Sequence, residues 1–288
     1  GINSVMLRRC IFLDNYDDSA HSQGIFISRS NVSIDECIFD HNGWYSQAGS
    51  GGIGTATIFN HNIYLASPED VKITNTISSR PSSIHFKNAT YETTGQFVGP
   101  TIIGNLLVDG EVGVSIWSEA VSPPTHRDLV ISDNVLTNIG RSRPTNRNLS
   151  WHIDIAGVDG AIVHGNYLLN QNNTSLYGFG FKTRGYIQNF DISENIFHNL
   201  YNIDALLPSY DSSNPNNSKN INFANNKINM STSSGYLVNA LYEPSSSWSF
   251  LTNKYYTSRI DGRKFSMVGV NKTDTEWRAA TGDNSTFE

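Results

Sequence analysis

The chain has 288 residues, enough to bury a substantial core, yet only 16% are charged and the formal net charge is −6. That balance forms no basic stripe and excludes a general nucleic-acid binder, and no apolar run reaches the roughly 18 residues of a membrane span. Two cysteines, Cys10 and Cys37, are too few for a disulfide framework or a thiolate zinc cluster.

Val, Ile, Phe and Tyr supply the apolar content while Asn, Ser and Gly fill the segments between, a mixture that favours short strands joined by polar turns. GINSVMLRRCIFL opens directly in strand-like sequence, without a signal-peptide pattern and without a cap before residue 5. The expectation is that an upstream segment or a second chain completes the N-terminal end.

One unit then recurs along the chain: an apolar residue, two or three mostly polar ones, an Asn, a variable residue and an apolar one. Its copies centre on Asn75 in ITNTI, Asn105 in IIGNLL, Asn134 in ISDNVL, Asn166 in VHGNYL, Asn195 in ISENIF, Asn226 in FANNKI and Asn253 in FLTNKY. MLRRCIF and IDECIF carry Cys10 and Cys37 at the same place, and successive copies lie 27 to 38 residues apart. Alternating strands at a period of about 30, with no long helical pattern between them, predict a solenoid. The fold class is all-β: a single right-handed parallel β-helix over residues 1–288, of about nine to ten coils, with an internal Asn ladder. Thr273 to Glu276 fits a capping box before WRAATG, which predicts a short C-terminal capping helix ending near Gly282.

A second strand precedes each Asn strand. Alignment on inward apolar residues places Phe26, Tyr64, His85, Ser115, Asp154, Gly180, Asp204 and Asn239 in one outward column. Ala66, Lys87, Trp117, Ala156 and Lys182 form the next. A Gly-rich insertion from Gly43 to Asn60 projects beside His61, and the loops PPTHRD and RSRPTNRN project further along.

Two clusters on this face can carry chemistry. The first is His61, Tyr64, His85 and Lys87, with Tyr64 beside His85 and Lys87 about 7 Å further along the strand. The second is His152, Asp154, Lys182 and Arg184, three to four coils on, or about 14 to 19 Å away. Their spacing suits one extended chain, with Trp117 between them as a flat face for a sugar ring. β-Elimination on a uronate polysaccharide needs a cation to neutralise the carboxylate, a base for the adjacent proton and an acid for the departing oxygen. In the first cluster His85 or Tyr64 serves as base, Tyr64 as proton donor and Lys87 as neutraliser; in the second, Lys182 is base and Arg184 neutraliser. His152, Asp154 and Asp204 are placed as substrate contacts.

The repeat, HNIYL, IHFKN one coil later and the terminal TEWRAATGDNSTF together resemble the bacterial secreted right-handed parallel β-helix proteins of the pectate lyase-like superfamily. The resemblance covers nearly the whole chain and implies a secreted or cell-surface protein, its signal segment absent from this chain. It also implies an acidic polysaccharide such as pectate or alginate as partner, and lyase or epimerase chemistry. The family's Lys and Arg on neighbouring coils correspond in type to Lys182 and Arg184, which here share one strand. The residues themselves establish no cofactor, since Arg, Lys or a metal can neutralise the carboxylate; calcium is the cation the resemblance implies, with Asp154 and Asp204 the nearest acidic pair, separated by Gly180. A glycoside hydrolase on the same scaffold needs two carboxylates about 5.5 Å or 6.5 to 9.5 Å apart, against roughly 10 Å for Asp154 and Asp204. A non-catalytic, tail-fibre-like glycan-binding β-helix is the third reading.

Overall fold

The computed structural model describes residues 3–17, 21–45, 54–91, 97–118, 126–171, 173, 175–201, 204–207, 218–230, 235–241, 247–258 and 264–287. The described strands form one 18-stranded sheet and one 10-stranded sheet, wound into a right-handed parallel β-solenoid. Among the described strands only Phe265–Met267 and Val270–Lys272 pair antiparallel. There are about eight full turns rather than nine to ten. The difference lies at the ends, where Asn3–Arg8 and Ile11–Leu13 form part of a turn and Thr286–Phe287 is reached through a hairpin and a helix. No described helix is long and apolar enough to cross a membrane.

The turns register because one corner repeats. Arg9, Glu36, Asn75, Gly104, Asp133, Gly165, Glu194, Asn225 and Thr252 hold left-handed backbone, with φ from 51° to 67°. Gly, Asn and Asp adopt that conformation most readily, which is why polar residues precede each ladder residue. The residue after each corner points inward. From Asn105 through Asn134, Asn166, Asn195 and Asn226 to Asn253, each side-chain amide donates to the next Oδ1 at 2.9 to 3.0 Å. Each of these six amides also donates to a main-chain carbonyl, as Asn166 does to Ile131 at 2.8 Å. Burial therefore leaves no side-chain amide of the ladder unpaired.

The ladder extends beyond Asn in both directions. The Asn253 N–H donates to Ser285 Oγ, the Cys37 N–H to Thr76 Oγ1 and the Cys10 N–H to Cys37 Sγ. In ITNTI the ladder residue is thus Thr76, not Asn75, which occupies the left-handed corner. Both cysteines are free.

Aromatic rings stack inside from turn to turn, Phe12 on Phe39 at 4.7 Å and Phe223 on Phe250 at 4.8 Å. At the C-terminal end the helix Asp274–Thr281 has the expected capping box between Thr273 and Glu276, and Gly282 ends it at φ 70°. Trp277 is fully buried, stacks on Phe265 at 4.8 Å and donates its indole N–H to Asp283.

Candidate active site

Three outward rows cross the large sheet on its first strands. The central row is Phe26, Tyr64, Lys87, Ser115, Asp154 and Lys182, each opposite the next on adjacent turns. Beside it Ala66, Ala89 and Trp117 align, and Ala156 aligns with Arg184. On the other side run His61, Ile84, Val112, Trp151, Phe179 and Asp204.

This register corrects the expected columns. Lys87, not His85, stands next to Tyr64, and Lys182, not Gly180, follows Asp154. The cause is a bend shared by the strands. Between the outward residues Ile84 and Lys87, both His85 and Phe86 are buried; between Trp151 and Asp154, both His152 and Ile153 are buried. Two successive inward residues break the period-two alternation from which a sequence alignment starts. On the intervening turn the equivalent position is Gly113, where a Cβ would meet His152 O at 2.4 Å and Leu136 Cδ2 at 2.6 Å.

His85 consequently faces the corner between the two sheets. Its Nε2–H donates to Asp109 O at 2.8 Å, so its Nδ1 accepts from the Ser78 hydroxyl at 2.8 Å, and Ser78 accepts from Asn62. Burial pulls the imidazole down to about 4, against the opposing pull of the Asp109 carbonyl. His152 donates through Nδ1 to Phe179 O at 3.3 Å and is likewise pushed by burial to about 4. Both are fully buried, turned away from the face on which the base and the substrate contact were expected. Asp204 lies beyond Phe179, accepting from the Tyr236 N–H and the Asn239 amide, outside the cleft.

The remaining expected residues gather in one trough. Lys87, Ser115, Asp154 and Arg184 line a cleft of about 350 Å³, with Tyr91 and Trp117 on one side and Arg147, Ile58 and Phe59 among its other walls. Tyr64 and Lys182 continue its central row at either end, four strand spacings or about 19 Å apart. Lys87 and Asp154, from the two separate clusters, are only two spacings apart, about 10 Å. A second crevice of about 330 Å³, over Asn138, Arg141, Asn170 and Asn173, is lined among the described residues by amides and one guanidinium, without a base.

Lys87 has no ion-pair partner among the described residues. Its Nζ lies 5.1 Å from the Tyr64 ring centroid, and burial lowers its pKa from the ordinary lysine value. The Tyr64 hydroxyl hydrogen-bonds that of Tyr91, and burial, then this bond, raises the Tyr64 phenol above its usual range. Tyr91 in turn meets Trp117 edge-on at 5.7 Å. His61 is fully buried, edge-on to Tyr64 at 5.4 Å, and neither ring nitrogen has a hydrogen-bond partner among the described residues. Burial first, then Lys87 and Arg147, holds it well below the usual histidine value, so it is neutral.

At the other end, Asp154 is ion-paired to Arg184 through both oxygens, at 3.0 and 2.6 Å. Burial raises its pKa, opposed by Arg184 and Lys182. Lys182 lies 5.3 Å from the Phe179 centroid and 6.0 Å from that of Trp151, lowered by burial against the pull of Asp154.

Sequence reasoning missed Arg147 and Glu111. Fully buried Glu111 accepts from the Thr145 N–H and hydroxyl and from Arg147 Nε at 2.8 Å, while Arg147 also donates to Ser83 at 2.7 Å. This clamp holds the RSRPTNRN loop against the trough. The signal was present as an acid in VDGEVGV and a basic loop one repeat later, but nothing in the spacing pairs them. Among the described residues no group of three or more His, Cys, Asp or Glu side chains gathers as a cation site. Comparison with protein-family models, with curated proteins and with solved structures found no match.

Proposed function

We propose that the protein is a polysaccharide lyase of the pectate lyase-like type, secreted or displayed at a cell surface, that cleaves an acidic glycan by β-elimination in this trough. The observation that carries the reading is Lys87: an amine made less basic by burial, without a carboxylate partner among the described residues, beside a phenol kept protonated. Lys87 takes the proton from the carbon next to the uronate carboxylate. The electron pair left behind forms the carbon–carbon double bond as the glycosidic C–O bond breaks, and Tyr64 protonates the departing oxygen. Arg147, held by Glu111, neutralises the carboxylate whose charge spreads in the transition state. Arg184 and Lys182 bind a neighbouring sugar, and Trp117 offers its face.

A glycoside hydrolase is less well supported, because Asp154 is the one carboxylate among the described residues lining the cleft, and it is engaged by Arg184. A binding module would share the aromatic and cationic walls without needing the Lys87–Tyr64 pair. One experiment separates the three: a panel of uronate glycans assayed for ultraviolet absorbance of unsaturated product, for reducing ends and for binding. Absorbance with new ends supports the lyase; new ends without absorbance support a hydrolase; binding alone supports a lectin-like module.

A further inference from the structure

The trough has an apolar strip that charge recognition leaves unexplained. Ile84 faces it, half-buried, three residues before Lys87 on the same strand; Val112 on the next turn lines the cleft floor at only 2% exposure; and Ile58, 43% exposed, lines the same cleft. Trp151, on the next turn, completes the row. Branched aliphatic side chains give a sugar neither a flat face to stack on nor a hydrogen bond. Hydroxyls seated against them lose water without gaining a partner, which is unfavourable, whereas a methyl group seated there is removed from water with gain. The strip runs beside the charged row at about 10 Å along the strand, a span covered by a pyranose with a carboxylate on one edge and a short substituent on the other.

We propose that the glycan taken here carries methyl-bearing substituents, as O-acetyl groups or 6-deoxy sugars, and that Ile58 and Ile84 recognise them over a floor formed by Val112. The proposal rests on the reading of the trough as an acidic-glycan site. Its occupant is set by the continuity of the strip with the charged row, so that a single ligand must satisfy both.

The test uses paired substrates: an O-acetylated polyuronate oligosaccharide and the same material after mild alkaline deacetylation, and a uronate glycan with a 6-deoxyhexose in its repeat beside one with the unmodified hexose. Cleavage is followed by ultraviolet absorbance and affinity by calorimetry. The methyl-bearing member of at least one pair is preferred by about tenfold or more, the discrimination one such group supports in an apolar pocket, and the pair that shows it identifies the substituent. Ile58→Ser, at an exposed site, and Ile84→Thr bring the ratio toward one, with unfolding midpoints confirming that both variants fold. Equal handling within both pairs, or an unchanged ratio in folded variants, overturns the proposal. Absence of both cleavage and binding for every acidic glycan overturns the underlying reading of the trough as well, so the two failures are distinct.

Discussion

Tyr64 and Lys87 stand opposite each other on adjacent turns, the lysine ammonium 5.1 Å from the centroid of the phenol ring. Burial acts on both in complementary directions, lowering the pKa of one and raising that of the other. A free base and a loaded acid can therefore coexist at one pH, the condition general acid–base catalysis sets.

Activity should need the neutral amine of Lys87. The rate of product formation then rises with pH through the lysine pKa, and burial places that limb below the ordinary lysine value of 10.5. Lys87→Ala should lose about 10²- to 10⁴-fold in kcat, and Lys87→Arg should not rescue it, because a guanidinium keeps its proton. A folded Lys87→Ala enzyme of wild-type rate would remove Lys87 from the chemistry.

Tyr64→Phe removes the proposed proton donor and should lower kcat by about 10²-fold or more. Tyr91→Phe keeps the donor but deletes a bond that raises the Tyr64 pKa, so its signature is an alkaline limb moved to lower pH with a smaller loss in rate. The two pH profiles, measured side by side, distinguish donor from neighbour.

Glu111→Gln weakens the buried clamp on Arg147 while preserving shape. Because Arg147 keeps 31% of its side chain exposed, the cost should fall below the roughly 3 to 5 kcal/mol of a fully buried pair, and the loop should become more susceptible to proteolysis. Glycan affinity should fall with it, and limited digestion with and without glycan checks both effects.

Stability should decline in acid through the buried histidines. His85, His126 and His152 are held to about 4 by burial, below the ordinary value of 6.5. Depressed folded pKa values mean that their contribution is complete above about pH 6.5 and is lost as pH falls through about 4. Unfolding midpoints measured across that window should drop steeply, and His85→Gln should flatten the slope while lowering the plateau.

Within the ladder, Asn166→Ala strands the Asn134 N–H, takes an acceptor from the Asn134 side-chain amide and removes a donor from Asn195 Oδ1 and Ile131 O, and should cost roughly 2 to 4 kcal/mol in denaturant unfolding. Asn166→Thr should cost less, since Thr76 already accepts the preceding turn's N–H in the same row.

The solenoid, its ladder and its terminal helix cap were legible in the residues because they are local or periodic. A left-handed corner followed by an inward side chain recurs about every 30 residues, and the capping box spans four residues. Even there the ladder slipped by one at ITNTI, where Asn75 serves the corner and Thr76 the interior, since Asn suits both positions. That Tyr64, Lys87, Asp154, Lys182 and Arg184 belong to one exposed face was also readable, from polar residues interrupting apolar strands.

What the tertiary structure alone decided was the phase of that face. Two inward residues in succession at the bend take His85 and His152 into the interior and bring Lys87 beside Tyr64, while on the intervening turn Gly113 leaves its Cβ space to Leu136 of the other sheet. Period-two alternation carries no trace of that contact. The same holds for the Glu111–Arg147 clamp and the Tyr64–Tyr91 bond, whose partners are 36 and 27 residues apart and meet only after the turns have stacked.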